Sequence, residues 1–221
     1  MTQEYKGIIF DMDGVLVDSE AFYYQRRKAF LKEYDLSIEQ IPVSLFIGAD
    51  MRSLWEIILE SNDTAYDEAY LSERYHQYKA EHPIDYRGLI DPDAKRVLQF
   101  FKRKGYKIGL ASSSTMNVIQ EVLKVGQLTS YFDAIISGTQ FKKSKPSPEI
   151  YEYTAQELGV DPKDCLAIED SEKGIRSAYD AGTTVWALKD TRFGMDQQLA
   201  DLKLNTLSDV CKKLQKRAKI G

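Results

Sequence analysis

A short apolar run that ends in two aspartates is the feature of this sequence that most constrains its fold. The run is Gly7–Phe10, and Asp11 and Asp13 follow it directly. Because side chains two residues apart in an extended chain point to the same face, both carboxylates can meet one ligand. Burying two carboxylate charges at the end of a strand costs free energy unless a cation or a shared proton balances them. The run therefore predicts a buried strand that leads into a binding or catalytic site.

Short apolar runs alternate with helical patterns along most of the chain. The helical patterns cover 93–104, 115–125, 149–158 and 174–181, and glycines end several of them. This alternation is typical of an α/β fold with a doubly wound parallel sheet. The predicted strands, with the last as a possible addition, are 8–10, 107–111, 134–137, 165–168, 184–187 and 202–205.

The segment between the first two predicted strands departs from this rhythm. Its patterns at 20–34, 51–59 and 65–79 are all helical, and it is far longer than a simple crossover needs. We therefore expect an inserted α-helical cap domain at 17–87, and a catalytic core formed by 1–16 and 88–221. An insertion after the first strand lies where ligands bind, so it can act as a lid.

Composition excludes several classes of function. The chain has 221 residues and a net charge of −4, which argues against binding nucleic acid or anionic membranes through bulk charge. No apolar stretch is long enough to span a bilayer, and the first residues lack a signal-peptide pattern. We expect a cytoplasmic protein. The absence of a P-loop or dinucleotide fingerprint argues against ATP-driven and redox chemistry.

Polar residues follow the predicted strands at the ends where α/β sheets bind ligands. The second strand leads into Ser112, Lys145 comes some distance after the third, and Glu169 and Asp170 follow the fourth. Since these ends share one edge of the sheet, we expect the side chains to converge with the aspartate pair. Taken singly, each residue is a common cap or surface group. Together, in this order, they are hard to explain as surface decoration.

The set has the chemistry of phosphoryl transfer. Asp11 can act as a carboxylate nucleophile that forms an aspartyl-phosphate. Asp13, whose pKa nearby negative charges should raise, can protonate the leaving group and then activate water. Ser112 can bond a phosphoryl oxygen, and Lys145 supplies a fixed positive charge beside the reacting centre.

The same acidic residues also predict a metal site. Asp11, Glu169 and Asp170 offer hard oxygen ligands for a cation that also meets a substrate phosphate. Mg²⁺ suits this arrangement because it prefers carboxylates, waters and phosphate to an all-protein cage. We therefore expect Mg²⁺ as the cofactor.

Four segments together resemble the haloacid dehalogenase-like phosphotransferase superfamily over essentially the whole chain. They are DMDGV at 11–15, LASSS at 110–114, KPSP at 145–148 and IEDS at 168–171. The resemblance implies a Rossmann-like core, a helical cap, Mg²⁺, an aspartyl-phosphate intermediate and a monomeric state. It also implies that Asp13 binds the metal ion through its backbone carbonyl. The acid at position 13 favours the phosphate-cleaving branch over the dehalogenases.

Within this superfamily the chain is similar to the β-phosphoglucomutase-like subgroup and its sugar-phosphatase relatives. The resemblance implies that Ser113 and Gly48 contact the phosphate or substrate and that Arg74 takes the place of a cap lysine. The chain departs from the mutase at Ser19 and Tyr23, where the mutase has Thr and His. Arg52 falls about one residue out of register with the mutase's cap arginine.

These departures remove groups that hold a sugar bisphosphate, so we rank hydrolysis above mutation. The expected function is a Mg²⁺-dependent phosphatase that acts on a small phosphomonoester, with a sugar phosphate as the expected substrate. Its expected partner is thus a small phosphorylated metabolite. The alternatives are a β-phosphoglucomutase-type isomerase and a non-catalytic binding or scaffold protein, although the intact motif set argues against the latter.

Overall fold

A computed structural model describes residues 5–49 and 51–217, apart from the side chains of Arg52 and Arg217. In this part of the chain the strands form one parallel sheet in the order β3-β2-β1-β4-β5-β6. The predicted α/β class and the predicted strands are confirmed, and no strand end differs from its predicted position by more than one residue. The strands are β1 (Gly7–Phe10), β2 (Lys107–Ser112), β3 (Ala134–Ser137), β4 (Cys165–Glu169), β5 (Thr184–Leu188) and β6 (Leu202–Leu204).

Helices cover both faces of the sheet, because the side chains of β1 alternate between two apolar layers. Ile8 and Phe10 lie in one cluster with residues of α4, α5 and α8, whereas Ile9 lies in another with residues of α6 and α7. Helix α7 begins earlier than its pattern predicted because Ser171 Oγ accepts a hydrogen bond from the Gly174 amide at 3.1 Å. The helices that cover the two faces of the sheet are α4 (Ala94–Arg103), α5 (Met116–Val125), α6 (Glu149–Leu158), α7 (Glu172–Asp180) and α8 (Ser208–Arg217).

The register of the central strands brings their ends to one place. Phe10, the last residue of β1, pairs with Leu110 of β2 on one side and with Ile168 of β4 on the other. The next residue, Asp11, still donates its amide to the Ile168 carbonyl at 2.9 Å. The residues that follow β1, β2 and β4 therefore emerge side by side at the carboxyl edge of the sheet.

Helices α1 (Glu20–Lys32), α2 (Met51–Glu60) and α3 (Glu68–Glu81) lie between β1 and β2. Their buried apolar side chains, among them Phe30, Trp55 and Leu71, form a cluster separate from those of the sheet. The third predicted helix starts later than expected because Asp67 caps it, accepting the Tyr70 amide at 2.8 Å. In the described part of the chain, no helix has the length and apolarity to cross a membrane.

The two ends of this inserted segment pack into the apolar core of the sheet. Val17 and Tyr86 belong to the apolar cluster that contains Ile8 and Phe10. A separate apolar core with ends anchored on the sheet is consistent with a cap at 17–87. Those boundaries stay a prediction, and the outermost residues of the predicted core lie outside the described residues.

Candidate active site

Lys145 lies at the centre of the group of polar residues at the carboxyl edge of the sheet. Its ammonium nitrogen is 2.7 Å from Asp11 Oδ1 and 2.6 Å from Glu169 Oε1, and it also donates to the Ala111 carbonyl at 3.0 Å. Tyr151 of α6 donates a further hydrogen bond to Glu169 Oε1 at 2.6 Å. All of these side chains are buried. The sheet thus brings together residues that lie far apart in the sequence, as their positions after the strands predicted.

The carboxylates beside Lys145 carry more negative charge than one ammonium can balance. Oxygen atoms of Asp11, Glu169 and Asp170 all lie within 4.8 Å of one another. Burial raises the pKa of Asp11 well above its ordinary value, against the opposing effect of Lys145. Burial also raises the pKa of Asp170, and the charges of Glu169 and Asp11 add to this effect. Such a buried, mutually repelling oxygen set fits Mg²⁺, which these three residues would hold.

Lys145 itself stays charged in this surrounding. Burial lowers the pKa of its ammonium, but the charges of Asp11 and Glu169 outweigh that effect and raise the pKa above its ordinary value. A buried cation paired with two carboxylates is held in one position, because losing either contact would leave a charge uncompensated. Lys145 is therefore a fixed positive charge beside the Asp11 carboxylate.

Two glycines allow the acidic side chains to sit this close together. At Gly14 the backbone φ is +84°, and a Cβ atom there would lie 1.9 Å from Asp170 Oδ2. At Gly174, at the start of α7, a Cβ atom would lie 2.0 Å from Glu169 Oε1. Any larger residue at either position would displace a carboxylate of the group.

Asp13 lies beside this group and is held by hydroxyls. Ser19 Oγ donates to its Oδ1 at 2.5 Å and Ser114 Oγ donates to its Oδ2 at 2.9 Å. Burial raises the pKa of Asp13, and the hydrogen bonds from these serines oppose the shift. The predicted direction is confirmed, but burial rather than neighbouring negative charge is the main cause. Its predicted contact with the metal ion through the backbone carbonyl stays a prediction.

A cavity of about 420 Å³ opens above these residues, between the sheet edge and the inserted helices. Predicted site residues that line it are Asp11, Asp13, Lys145, Ser113 and Gly48. This volume suits a small organic ligand.

The predicted metal ligands Glu169 and Asp170 lie beside Asp11 but do not line the cavity. The predicted residues Ser112 and Arg74 do not line it either. Ser112 is fully buried and does not line the cavity; its Oγ accepts the Ser114 amide at 3.1 Å and is 3.5 Å from Asp13 Oδ2. Arg74 is exposed on α3, where its guanidinium lies 5.3 Å from the Tyr70 ring centroid. The structure therefore does not bring Arg74 to the cavity. The Arg52 side chain lies outside the described residues.

Helix α1 contributes cavity residues that the motifs did not reveal. Glu20, Tyr23 and Arg27 all line the cavity, and Lys79 of α3 lines it too. Their spacing of three and four residues along α1 is the available signal, because it places them on one face of a helix. Burial and the charge of Asp13 raise the pKa of Tyr23, so this phenol stays neutral. Its hydroxyl lies 3.2 Å from that of Tyr86.

Glu20 is a further buried acid in this cavity. It is 4% exposed, and its Oε1 accepts the Gly48 amide at 3.0 Å. Burial raises its pKa from the ordinary 4.5 to about 7, with a contribution from the charge of Asp13. Glu20 therefore joins α1 to the loop before α2 through this hydrogen bond, and its pKa responds to the charge of Asp13 at the carboxyl edge of the sheet.

Comparison with known proteins identifies the family of the chain. The model of the haloacid dehalogenase-like hydrolase family matches residues 8–188. The chain belongs to this family. Hexitol phosphatase B of Escherichia coli (strain K12) is 31% identical over 215 residues, which cover 93% of this chain and 94% of that protein. The β-phosphoglucomutase of Bacillus subtilis (strain 168) is 32% identical over 187 residues, which cover 80% of each protein.

A solved structure supports the same assignment of fold. The β-phosphoglucomutase from Clostridium difficile matches with a TM-score of 0.83 and 24% identity, over 96% of both chains. The resemblance that the four motifs indicated is therefore confirmed. In this hydrolase, the family motifs coincide with the Lys145-centred group and the acidic residues around it.

Proposed function

We propose that this hydrolase is a Mg²⁺-dependent phosphatase that cleaves a small phosphomonoester, with a sugar phosphate as the expected substrate. The observation that carries the proposal is the Lys145 ammonium, which bridges Asp11 and Glu169 at 2.7 and 2.6 Å within a set of three carboxylates whose charge one ammonium does not balance. This arrangement supplies a nucleophile, a fixed positive charge and a place for a hard cation at the wall of one cavity.

In the first step the Asp11 carboxylate attacks phosphorus, and the bond from phosphorus to the leaving oxygen breaks. The product is an aspartyl-phosphate on Asp11. Lys145 keeps the attacking carboxylate oriented and stabilises charge on the transferred group, while the amides that follow β2 favour an anion there. When bound by Asp11, Glu169 and Asp170, Mg²⁺ supplies neutralisation of the phosphoryl charge.

Asp13 moves the proton in both steps. Its raised pKa allows it to hold a proton and to give it to the departing alkoxide. It then takes a proton from the water that hydrolyses the aspartyl-phosphate, which returns Asp11 to its starting state. Ser19 and Ser114 orient the carboxyl through the hydrogen bonds at 2.5 and 2.9 Å.

A phosphomutase is the second candidate, since the same residues can pass the phosphoryl group back to a sugar. The 32% identity to a β-phosphoglucomutase favours it. Tyr23 opposes it, because a neutral phenol stands on α1 where the mutase has a histidine. Location in the cytoplasm and a monomeric state stay predictions from the sequence.

The decisive experiment compares wild-type protein, Asp11→Asn and the control Asp63→Asn, which alters an exposed aspartate. Each is assayed for inorganic phosphate release from a panel of sugar phosphates, with Mg²⁺ and with EDTA. We expect Mg²⁺-dependent release that Asp11→Asn abolishes and Asp63→Asn retains. Conversion of β-glucose 1-phosphate to glucose 6-phosphate without phosphate release would establish the mutase instead. Absence of turnover with every substrate would favour a scaffold.

A further inference from the structure

Arg27 is a buried cation whose donors are not satisfied by the protein. Its side chain is on α1, lines the cavity and is only 5% exposed. In the described part of the chain, its Nε and Nη1 atoms have no hydrogen-bond partner. A guanidinium presents its N–H groups in a fixed planar fork, and burying them without acceptors is costly. These donors therefore point to an acceptor that binds in the cavity.

The neighbours of Arg27 do not account for its charge. The guanidinium lies 5.5 Å from the centroid of the Phe46 ring, a cation–π contact that gives its Nε and Nη1 atoms no hydrogen-bond acceptor. Glu20 is near enough that Arg27 lowers its pKa, but burial raises that pKa to about 7. Among the described residues, Arg27 forms no salt bridge. Its charge is thus available to a ligand.

Two further cations line the same part of the cavity. Arg26 makes one long hydrogen bond, from Nη1 to the His82 carbonyl at 3.3 Å, and its Nε has no partner within the described residues. Burial lowers the pKa of Lys79, and the charges of Arg26 and Arg27 lower it further. Three cations that repel one another form a site for an anion.

This group is distinct from the phosphoryl site. Ser19, at the start of α1, contacts Asp13, and Arg27 follows eight residues later. At the rise of an α-helix this separates them by about 12 Å along the axis. Lys145 is already engaged by two carboxylates at the sheet edge. The two ends of the cavity are therefore far enough apart to contact different groups of one ligand.

We propose that Arg27, supported by Arg26 and Lys79, binds a second acidic group of the substrate. This inference rests on the proposed function and narrows its substrate class to phosphomonoesters with a carboxylate or a second phosphate at the far end. Planar guanidinium groups suit both anions because they can bind two oxygens at once. Arg74, the residue expected to take the place of a cap lysine, is exposed on α3, so in this proposal the cap cation comes from α1 instead.

The test uses two pairs of substrates, and in each pair only one member carries an acidic group at the far end. The carboxylate pair is 6-phosphogluconate and glucose 6-phosphate, and the phosphate pair is fructose 1,6-bisphosphate and fructose 6-phosphate. The variants are Arg27→Met and the control Lys32→Met, which removes the same charge from an exposed position on the same helix. The quantity measured is the ratio of kcat/KM values within each pair, and the pair with the larger ratio identifies the anion.

We expect wild-type protein to prefer the acidic member of one pair by about tenfold or more, as a charged hydrogen-bonded contact predicts. Arg27→Met should reduce this preference about tenfold, chiefly through KM, and Arg27→Lys should reduce it less. Lys32→Met should retain it. A wild-type ratio near one in both pairs would overturn the proposal, and so would equal losses in Arg27→Met and Lys32→Met.

A binding measurement separates this inference from the proposed function. Calorimetry with Asp11→Asn measures affinity for 6-phosphogluconate and fructose 1,6-bisphosphate without turnover, and addition of Arg27→Met should weaken the preferred one about tenfold. Turnover of p-nitrophenyl phosphate, which lacks a second acid, tests phosphatase activity alone. Turnover without any preference for the acidic substrates overturns the inference only. Preferential binding without turnover supports the inference and overturns the phosphatase.

Discussion

The two ends of the cavity differ in how far the protein satisfies its own polar groups. At the sheet edge, Lys145 is bound by two carboxylates and a carbonyl, and Asp13 is held by two serine hydroxyls. At the α1 end, Arg27 is equally buried but has donors without partners among the described residues. The first end is organised before any substrate binds, as chemistry requires. In our proposal, the acidic group of a ligand supplies the acceptors that Arg27 at the second end lacks within the described part of the chain.

The largest effect should follow from removing the cation at the sheet edge. Lys145→Met leaves Asp11 and Glu169 buried beside each other without a partner, so we expect turnover to fall by about three orders of magnitude. The free energy of unfolding should drop by about 3 kcal/mol, measured by urea denaturation. The control Arg87→Met breaks an exposed pair and should change little. Near-normal turnover of Lys145→Met would show that catalysis does not depend on this cation, and the proposed difference between the two ends would be wrong.

The next effect concerns Glu20, which lies between the two ends. Because its native pKa, about 7, is above the ordinary 4.5, the folded state binds this proton more tightly than the unfolded chain does. Its contribution to stability is therefore complete below pH 4.5 and is lost as the pH rises through about 7. A pKa difference of this size corresponds to about 3 kcal/mol.

Glu20→Gln stays neutral at every pH, so its stability should rise relative to wild type by up to about 3 kcal/mol between pH 4.5 and 8. Urea denaturation in EDTA across this range measures the difference. Parallel stability curves for the two proteins would show that burial does not perturb this carboxyl.

A smaller effect tests the close packing of the acidic group. Gly14→Ala places a Cβ atom against the Asp170 carboxylate at a positive φ, so we expect the Mg²⁺ concentration for half-maximal activity to rise about tenfold. Gly105→Ala is the matched control, because that residue also has a positive φ, +79°, but no atom within 4 Å of the added Cβ. Equal effects of the two substitutions would mean that backbone strain, and not displacement of Asp170, is the cause.

The smallest effect concerns the orientation of Asp13. Ser19→Ala removes a hydrogen bond that lowers the pKa of Asp13, so this pKa should rise further. Because the acid must be protonated for the first step, the alkaline limb of the kcat/KM profile should move to higher pH, with an activity loss of about tenfold or less. Ser61→Ala, at an exposed serine of the inserted segment, should leave the profile in place. An unmoved limb in Ser19→Ala would remove Asp13 from the proton-transfer role.

The meeting of Asp11, Lys145 and Glu169 at the sheet edge could be predicted because these residues follow strands of a parallel sheet. Apolar runs such as Gly7–Phe10 identify these strands from the sequence alone. The register of the strands then places Asp11, Lys145 and Glu169 at one edge of the sheet. Exposure within a motif was harder to predict. Ser112 and Ser113 are adjacent, but the first is fully buried and the second lines the cavity.

The α1 end could not be predicted in the same way. Helical spacing indicates that Glu20, Tyr23 and Arg27 share one face of α1, but it does not indicate which part of the molecule that face packs against. The family motifs directed attention to Arg74, which the fold leaves exposed on α3. Local sequence is thus enough to predict that the acidic residues lie close together, because the carboxyl ends of neighbouring parallel strands lie at one edge of the sheet. Among the described residues, Arg27 lacks an acceptor because of how the inserted helices pack over the sheet. This packing brings together residues that are far apart in the sequence, so no local pattern predicts it.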